Sequence, residues 1–505
     1  MRSWTGGLGR MMGRRGGCAA RPVVLTCVVI LGGTGPMLAG AAPRAGQARA
    51  TGAPGESAPA GQGRETIEKR LRDLEAAVAS LTAEIAQLRA AGGVEGASGA
   101  AARIEELERR VEALSREIEL LRVGEAASPP TPAPAGGLGP AASKVYGARK
   151  GVSIGGYGDM LYQNFARRAD DGLTAAAVDP ARSVDLLDLE RAVLYFGYKF
   201  NDRTLFNSEI EFEHAVAGEG EKGEVAVEFA YVDFRATKRF GLRGGLLLVP
   251  VGFLNELHEP PIFHGARRPE VEQVIIPTTW RENGAGIYGE TGPVSYRAYV
   301  VTGLNATGFT AGGIREGRQE GAESSAEDLA LTARLDLTPV PGLRVGASAF
   351  TGRTGQGAPG LPRARLTLWD LHGEWNWRGL HLRGLYARTI LSDAGEVNQA
   401  LGLAGTAGIG ERIIGWYGEI AWNVLSRIRG TSQELSPFCR YEELDTQARV
   451  APGFAADPAN DGRALTCGLT YRPIPDIALK VDAQNFDNRA RTSIDQVNVA
   501  LGYLF

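Results

Sequence analysis

The chain alternates apolar and polar residues with a period of two over most of its length, from about residue 151 to residue 505. In segment 191–200, one face carries Ala192, Leu194, Phe196, Tyr198 and Phe200, and the other carries Arg191, Val193, Tyr195, Gly197 and Lys199. The alternation returns in segments 329–337, 414–422, 465–472, 477–484 and 496–505. This period is that of a β-strand whose two faces meet different surroundings. It predicts an all-β fold for this part of the chain.

Two kinds of connector separate the predicted strands in alternation. Short turns lie at 201–202, 292–293, 341–342, 378–379 and 473–476, and long polar loops span about 166–185, 255–283, 305–326, 353–363, 393–410 and 445–462. Short turns on one rim and long loops on the other are typical of an outer-membrane β-barrel. We count sixteen strands, starting near residues 152, 188, 203, 224, 242, 284, 293, 327, 342, 364, 379, 411, 434, 463, 476 and 493. An even number brings both ends of the barrel to one rim.

A soluble β-sandwich or propeller would also alternate, but it would not need charges on the polar face of nearly every long strand. Such charges occur at Glu209, Glu211, Glu213, Arg297, Arg344, Arg383, Glu419, Arg440, Glu442 and Lys480. In a barrel this face lines a wet lumen, where the charges stay solvated. We therefore predict a sixteen-stranded antiparallel transmembrane barrel whose lumen wall includes Arg191, Lys199, Arg297, Arg383, Arg440, Glu442 and Lys480. Aromatic residues near strand ends, including Tyr157, Trp375, Trp377 and Trp422, suit interfacial girdles.

One predicted strand departs from the alternation. Between Leu368 and Leu371 the apolar residues change from even to odd positions. A β-bulge is the usual way for a strand to change which face its residues present. The sequence therefore predicts a bulge in this strand.

The region before the barrel divides into four segments. Basic residues precede an apolar run at 23–31, and Ala39-Gly40-Ala41 resembles a cleavage site, so residues 1–41 are predicted to be a secretory signal peptide. We assign residues 42–63 to a Gly/Ala/Pro-rich linker, 64–123 to a coiled-coil arm in two segments, 124–150 to a Pro/Gly-rich linker and 151–505 to the barrel. The Pro-rich linker is expected to be stiff.

The arm carries two short heptad patterns. The apolar positions are Ile67, Leu71, Leu74, Val78, Leu81, Ile85 and Leu88 in the first, and Ile104, Leu107, Val111, Leu114, Ile118 and Leu121 in the second. The charge pairs Arg70–Glu75, Glu84–Arg89, Arg103–Glu108 and Glu117–Arg122 occupy g and e positions with opposite signs, which favours parallel self-association of this arm. An intramolecular antiparallel hairpin that turns at the glycine-rich break remains open, because each pattern holds only about three heptads.

The composition excludes several functions. The chain has 55 Lys and Arg against 58 Asp and Glu, so no basic surface for nucleic acid is expected. None of the four cysteines has the paired spacing of a zinc site, and Cys439 and Cys467 lie on consecutive predicted strands, either bridged or free. No hydrolase motif occurs, so we expect neither catalytic residues nor a cofactor. His258, His264, Glu256 and Glu259 have adequate ligand chemistry for a metal, but their spacing matches no rigid scaffold, so no metal site is predicted.

Three segments, Leu189–Tyr198, Ala230–Phe234 and Gly244–Gly252, carry a family resemblance, and the terminal Phe505 resembles a barrel-assembly signal. In these segments the barrel region bears a resemblance to the phosphate-selective porins O and P of Gram-negative outer membranes. This resemblance implies a homotrimer in the outer membrane, each chain a water-filled pore narrowed by an inward-folded loop. Relatives of this family also carry a coiled-coil arm, which would lie in the periplasm.

The loop after the fifth predicted strand is the candidate pore constriction. It offers Arg267, Arg268 and Arg281, against Glu256, Glu259, Glu270, Glu272 and Glu282. A phosphate-selective constriction needs a ring of cationic donors, and here acids outnumber bases. General diffusion of small hydrophilic solutes is therefore favoured over anion selectivity. The alternative function is a structural tether, in which the barrel anchors an arm that contacts the cell wall.

Overall fold

The computed structural model describes residues 60–91, 103–111, 114, 137–148, 150–218, 220, 222–428 and 431–505. The described residues from Gly61 onward belong to one compact unit, Gly61–Phe505. The predicted signal peptide and all but the end of the first linker lie outside the described residues, as do residues 92–102, 112–113 and 115–123 of the predicted arm and residues 124–136 and 149 of the second linker. In the first helix, side chains are described for residues 73–89.

Sixteen antiparallel strands form one closed barrel, in which each strand pairs with its neighbours in sequence and β1 pairs with β16. The strands are β1 Gly151–Phe165, β2 Leu186–Lys199, β3 Thr204–Glu213, β4 Val225–Thr237, β5 Phe240–Leu248, β6 Arg281–Thr291, β7 Val294–Thr302, β8 Leu329–Val340, β9 Leu343–Arg353, β10 Arg365–Trp377, β11 Leu380–Leu391, β12 Arg412–Trp422, β13 Glu434–Arg449, β14 Asp461–Ile474, β15 Ile477–Asn488 and β16 Gln496–Leu504. The predicted fold class is confirmed. The predicted starts differ from these by at most three residues, at β6 and β16.

The helices are short apart from the first. They are α1 Ala60–Ala91, α2 Lys144–Gly147, α3 Ala175–Val178, α4 Glu270–Val274 and α5 Ala394–Ala400, and 3-10 turns lie at Pro180–Arg182, Pro260–Ile262, Ala306–Gly308, Arg315–Gly317, Gly405–Ala407 and Pro458–Asn460. Residues 103–111 are also helical. Among the described helices, none combines the length and apolarity needed to cross a membrane.

The two segments of the arm contact each other within one chain. Arg89 Nη2 lies 2.6 Å from Glu108 Oε1, and Arg103 Nη2 lies 3.3 Å from Glu84 Oε1. The sequence pattern assigned these four charges to g-to-e pairs between copies, whereas the structure pairs them between α1 and segment 103–111 of the same chain. These contacts agree with the open alternative, in which the arm packs on itself.

The barrel has an apolar outer face. On β2, Leu194 and Phe196 point outward and are 46% and 42% exposed, whereas Val193 and Tyr195 point inward and are 2% and 3% exposed. This arrangement follows the predicted alternation. Tyr157 is an exception to the predicted aromatic girdle, because it points inward and is only 1% exposed.

The bulge predicted in β10 is absent. The register of β10 with β9 and with β11 runs without a shift from Leu366 to Trp375. Leu366 and Leu368 point inward and are fully buried, whereas Leu371 points outward. The apolar pattern changes because the lumen contains apolar protein at this point, so inward leucines are buried there as well as outward ones.

Cys439 of β13 lies directly opposite Cys467 of β14 in the strand register. The two residues are joined by a disulfide, with their Cα atoms 4.2 Å apart. Of the two states left open by the sequence, the structure has the bridged one.

Candidate functional site

A 32-residue connection between β5 and β6, residues 249–280, folds into the barrel; we call it the lumen loop. It reaches the opposite wall, where Lys480 Nζ of β15 donates to Pro260 O at 2.6 Å and to Gly265 O at 2.8 Å. Arg440 Nη1 of β13 donates to His264 O at 3.3 Å. In a sixteen-strand ring, β13 is diametrically opposite β5. The loop therefore crosses the lumen, as the resemblance implied.

Apolar packing holds the lumen loop in place. Phe253, Leu254 and Ile275 are fully buried, and the Trp280 ring packs against Phe350 of β9 with the centroids 4.4 Å apart. Full burial of such a side chain stabilises the folded state by about 1.5–3 kcal/mol. The interior of this barrel is thus a packed core around part of the loop.

A second element fills the lumen beside this loop. Residues 137–148, which directly precede β1, lie inside the barrel, and we call them the inner segment. Leu138, Ala141 and Val145 are at most 2% exposed. The Glu259 carboxylate of the lumen loop accepts hydrogen bonds from Ala141 N at 3.0 Å and Ala142 N at 2.9 Å. Residues 137–148 of the predicted linker 124–150 therefore pack inside the barrel, where their apolar side chains are buried.

The inner segment is also fixed to the wall formed by β2–β5. Tyr146 Oη donates to Asp233 Oδ2 at 2.5 Å, and Arg243 Nη2 donates to Tyr146 Oη at 2.8 Å. Asn207 Nδ2 donates to Ala142 O at 2.9 Å. Together with the hydrogen bonds to Glu259, these contacts attach the inner segment both to the barrel wall and to the lumen loop.

The predicted lumen-wall charges all point inward, but the prediction that they stay solvated is wrong. Arg191, Arg297, Arg383, Arg440, Glu442 and Lys480 are buried, and Lys199 is half-buried and donates to Ala148 O. Because the two lumen elements displace solvent, the arginines and Glu442 form ion pairs instead. Arg440 contacts Glu442 at 2.8 Å and Glu419 at 3.1 Å, and Arg383 contacts Glu374 at 3.0 Å. Such pairing offsets the cost of burying charge.

The five candidate constriction residues divide into two groups. Glu256 lies 3.2 Å from Arg297, and Glu259 holds the inner segment, so both serve to anchor the loop. Arg267, Arg268 and Arg281 instead line a polar cavity of about 220 Å³. The structure therefore brings the three arginines together and separates them from the two acids.

Most groups around this cavity were not predicted. Its charged lining consists of Arg191, Arg267, Arg268, Arg281, Arg315 and Arg318, together with Glu190, Glu211, Glu213, Glu224, Glu228 and Glu320. The acids come mainly from β2–β4 and from the connection before β4, whereas the bases, apart from Arg191 of β2, come from the lumen loop, β6 and the connection 303–328. Among the acids, the sequence indicated only Glu211 and Glu213, through the alternation in β3. No local pattern in the sequence places Arg315 and Arg318 at this cavity.

The basic side of the cavity is crowded with positive charge. Burial, and then the neighbouring guanidinium groups of Arg318 and Arg268, lower the pKa of Arg315 to about 10. Arg318 is half-buried, pairs with Glu320 at 2.8 Å, and its pKa is also lowered, first by burial. A depressed pKa in this setting means that the charged form is poorly compensated, so an anionic group entering the cavity would be stabilised here.

The metal-ligand set considered from the sequence is not assembled. His258 faces Glu209, and His264 lies 3.3 Å from the hydroxyl of Thr470. Glu256 pairs with Arg297, and Glu259 accepts hydrogen bonds from the inner segment. Two other groups of close ligand atoms occur in the described part of the chain: Glu209, Glu228 and His258, and His264, His381 and Glu419.

Solved structures similar to this chain include outer-membrane proteins and porins. The channel DcaP of Acinetobacter baumannii is 13% identical and covers 70% of this chain and 97% of its own, with a TM-score of 0.45. The anion-selective porin from Comamonas acidovorans is 14% identical and covers 70% of this chain and 99% of its own, with a TM-score of 0.42. OmpT of Vibrio cholerae in its trimer form is 10% identical and covers 71% and 100%, with a TM-score of 0.44.

Sequence comparison identifies a nearer relative. No family model matches the chain. A protein of Aquifex aeolicus described as uncharacterized is 42% identical over 390 residues, which cover 75% of this chain and 86% of the relative. The chain therefore belongs to the same family as this Aquifex aeolicus protein.

Proposed function

We propose that the protein is an outer-membrane channel for passive diffusion of small hydrophilic solutes. The observation that carries the proposal is the reversed distribution of polarity in a closed barrel. Large apolar side chains are exposed on the outer face, whereas charged side chains and a polar cavity lie within. A water-soluble barrel would have the opposite arrangement, and an outer-membrane barrel has this one.

Aromatic residues support the membrane location. Trp375 and Trp377 near the end of β10 and Trp422 at the end of β12 are all exposed on the outer face. These strand ends lie at the rim with the short turns. Tryptophans at one level of a barrel exterior suit the boundary between lipid and water.

The lining of the cavity favours charged solutes, without selectivity for phosphate over other small ions. Six arginines and six glutamates line it, and most of the arginines lie on other elements than most of the glutamates. A phosphate-selective pore would need cationic donors all around the solute. General diffusion of small charged or zwitterionic solutes is therefore the function that we favour over phosphate selectivity.

Reversal potentials in a salt gradient across a planar bilayer test this proposal. We expect Arg267→Ala/Arg268→Ala to shift the reversal potential toward cation preference, and Glu211→Gln/Glu213→Gln to shift it toward anion preference. Arg463→Ala is the matched control, because Arg463 is exposed and pairs with Asp487 outside the cavity. Equal potentials for all four proteins would contradict a solute path through this cavity.

The proposal includes an assembly and a location. We expect a homotrimer in the outer membrane of a Gram-negative bacterium, with the arm in the periplasm. Recognition by the barrel-assembly machinery through Phe505 is consistent with its position, because its side chain is 48% exposed at the strand end while its backbone pairs with Gly156.

A tether remains the second candidate function. The inner segment fixes the start of the barrel within the lumen, so force on the arm is transmitted directly to the barrel. Helix α1 has 32 residues, and at about 1.5 Å per residue it spans roughly 48 Å. Deleting residues 42–136 would leave conductance intact and loosen the attachment of the outer membrane to the cell wall if tethering is the main role.

A further inference from the structure

His258 of the lumen loop lies between two carboxylates of the barrel wall. Its Nε2 atom is 3.1 Å from Glu209 Oε1 of β3 and 3.3 Å from Glu228 Oε2 of β4. All three side chains are at most 3% exposed, and their three ligand atoms lie within 4.8 Å of one another. Neither the proposed channel nor the anchoring of the loop requires two buried carboxylates at one imidazole nitrogen.

A β-bulge places the second carboxylate there. Glu209 pairs with Phe229 in the register of β3 and β4, but the next residue, Ile210, pairs with Val227. Glu228 is therefore the extra residue of the bulge, and both it and Phe229 are buried inside. Bulges commonly re-aim a side chain at a functional site. Two buried carboxylates side by side repel each other, and the Arg281 guanidinium contacts Glu228 but not Glu209, so a further cation between them would be stabilised.

The hydrogen bonds around this site leave His258 Nε2 and one carboxylate oxygen each of Glu209 and Glu228 close together. His258 Nδ1 lies 3.0 Å from Asn255 O and donates to it, which directs Nε2 toward the carboxylates. Arg281 Nη1 approaches Glu228 Oε1 at 3.3 Å, which leaves Oε2 toward the histidine. Within the described structure, Glu228 Oε2 and Glu209 Oε2 are buried without a hydrogen-bond partner. A single proton on Nε2 can serve only one of the two glutamates.

We propose that His258, Glu209 and Glu228 bind one divalent transition-metal ion of the zinc class. A tetrahedral ion with bonds of about 2.0–2.2 Å separates its ligand atoms by about 3.3–3.6 Å, close to the 3.1 Å and 3.3 Å between His258 Nε2 and the two carboxylate oxygens. Imidazole nitrogen with carboxylate oxygen is a donor set that zinc accepts, and a backbone carbonyl on the other ring nitrogen is the usual orienting partner of a metal-bound histidine. Asn255 provides that partner.

The site has an entry route and a structural consequence. Glu228 lines the polar cavity, so an ion in that cavity reaches the site without crossing the apolar core. The metal would join the lumen loop to the wall at β3 and β4. This inference does not depend on the proposed channel, because binding can be measured in a barrel that conducts nothing.

Titration of the purified, chelator-treated protein in detergent with Co²⁺ tests the proposal. We expect one ion per chain, with the visible absorption of a low-coordinate cobalt site, and displacement by Zn²⁺. His258→Asn and Glu228→Gln should each weaken binding by at least about 100-fold, since each removes a ligand. His264→Asn is the matched control, because it lies in the other histidine and carboxylate group and should leave binding unchanged.

Two results would overturn the proposal. One is the absence of stoichiometric Co²⁺ or Zn²⁺ binding by the wild-type protein. The other is binding that survives in His258→Asn but is lost in His264→Asn. If either variant fails to fold, anomalous X-ray scattering at the zinc edge from wild-type crystals decides. A peak among the three side chains supports the site, and a peak elsewhere or none contradicts it.

Discussion

Weakening the packing of the inner segment should release it from the lumen without opening the barrel. Leu138 is 1% exposed and packs in the interior core. Replacing it with alanine removes buried methyl groups and leaves a cavity, at a cost of about 2–5 kcal/mol. The strand hydrogen bonds of the closed ring do not involve this residue, so the cost falls on docking of the segment. At about 1.4 kcal/mol per factor of ten, the undocked population rises roughly 30-fold to a few thousand-fold.

Chemical labelling measures this population. Ala142 is 4% exposed, so a cysteine placed there is protected while the segment is docked. We expect Ala142→Cys to react with a membrane-impermeant maleimide at least about 30-fold faster when combined with Leu138→Ala, if docking and undocking are fast relative to labelling. Leu187→Ala is the matched control, because Leu187 is 71% exposed. Equal labelling rates in the Leu138→Ala and Leu187→Ala backgrounds would refute the conclusion that core packing holds the segment.

Three further predictions concern the same interior and the bridge beside it. Arg440→Ala leaves two buried carboxylates without their cation, and we expect a loss of about 3–5 kcal/mol in the free energy of unfolding, measured by denaturant titration in detergent. Burial raises the pKa of Glu259 from 4.5 to about 7, although the hydrogen bonds that it accepts from the backbone amides of Ala142 and Ala141 act to lower this pKa. The folded chain therefore holds an extra proton in this range, so stability should fall as the pH rises from about 4.5 to about 7, and Glu259→Gln should lack this slope. Reduction should raise the mass of the mature protein by about 2 Da if Cys439 and Cys467 are bridged, and an unchanged mass would contradict the bridge.

The strands were predictable because their signal is local. Each strand meets two different environments, so the alternation of apolar and polar residues indicates which face is outside. On β2, for example, apolar Leu194 points outward and charged Arg191 points inward. The closed ring then follows from the alternation of short turns and long loops. The prediction misjudged β10, where Leu366 and Leu368 point inward. An inward leucine is stable only because the lumen loop packs against it, and that contact joins residues far apart in the sequence.

The contents of the lumen were harder to predict for the same reason. The inner segment is rich in glycine and alanine, and such a composition is common in linkers. Its burial depends on Glu259 and Tyr146 finding partners more than eighty residues away. The sequence singled out Arg267 and Arg268 of the lumen loop, and both line the polar cavity. The position of Glu228 depends on a bulge in β4, which the alternation of that strand does not reveal.

Single-channel recording tests the central claim most directly. The purified, signal-free protein would be added to a planar lipid bilayer under voltage. The account predicts discrete conductance steps, which occur in groups of three if the protein is a trimer. A protein that stays monodisperse in buffer without detergent and produces no steps in the bilayer would contradict it.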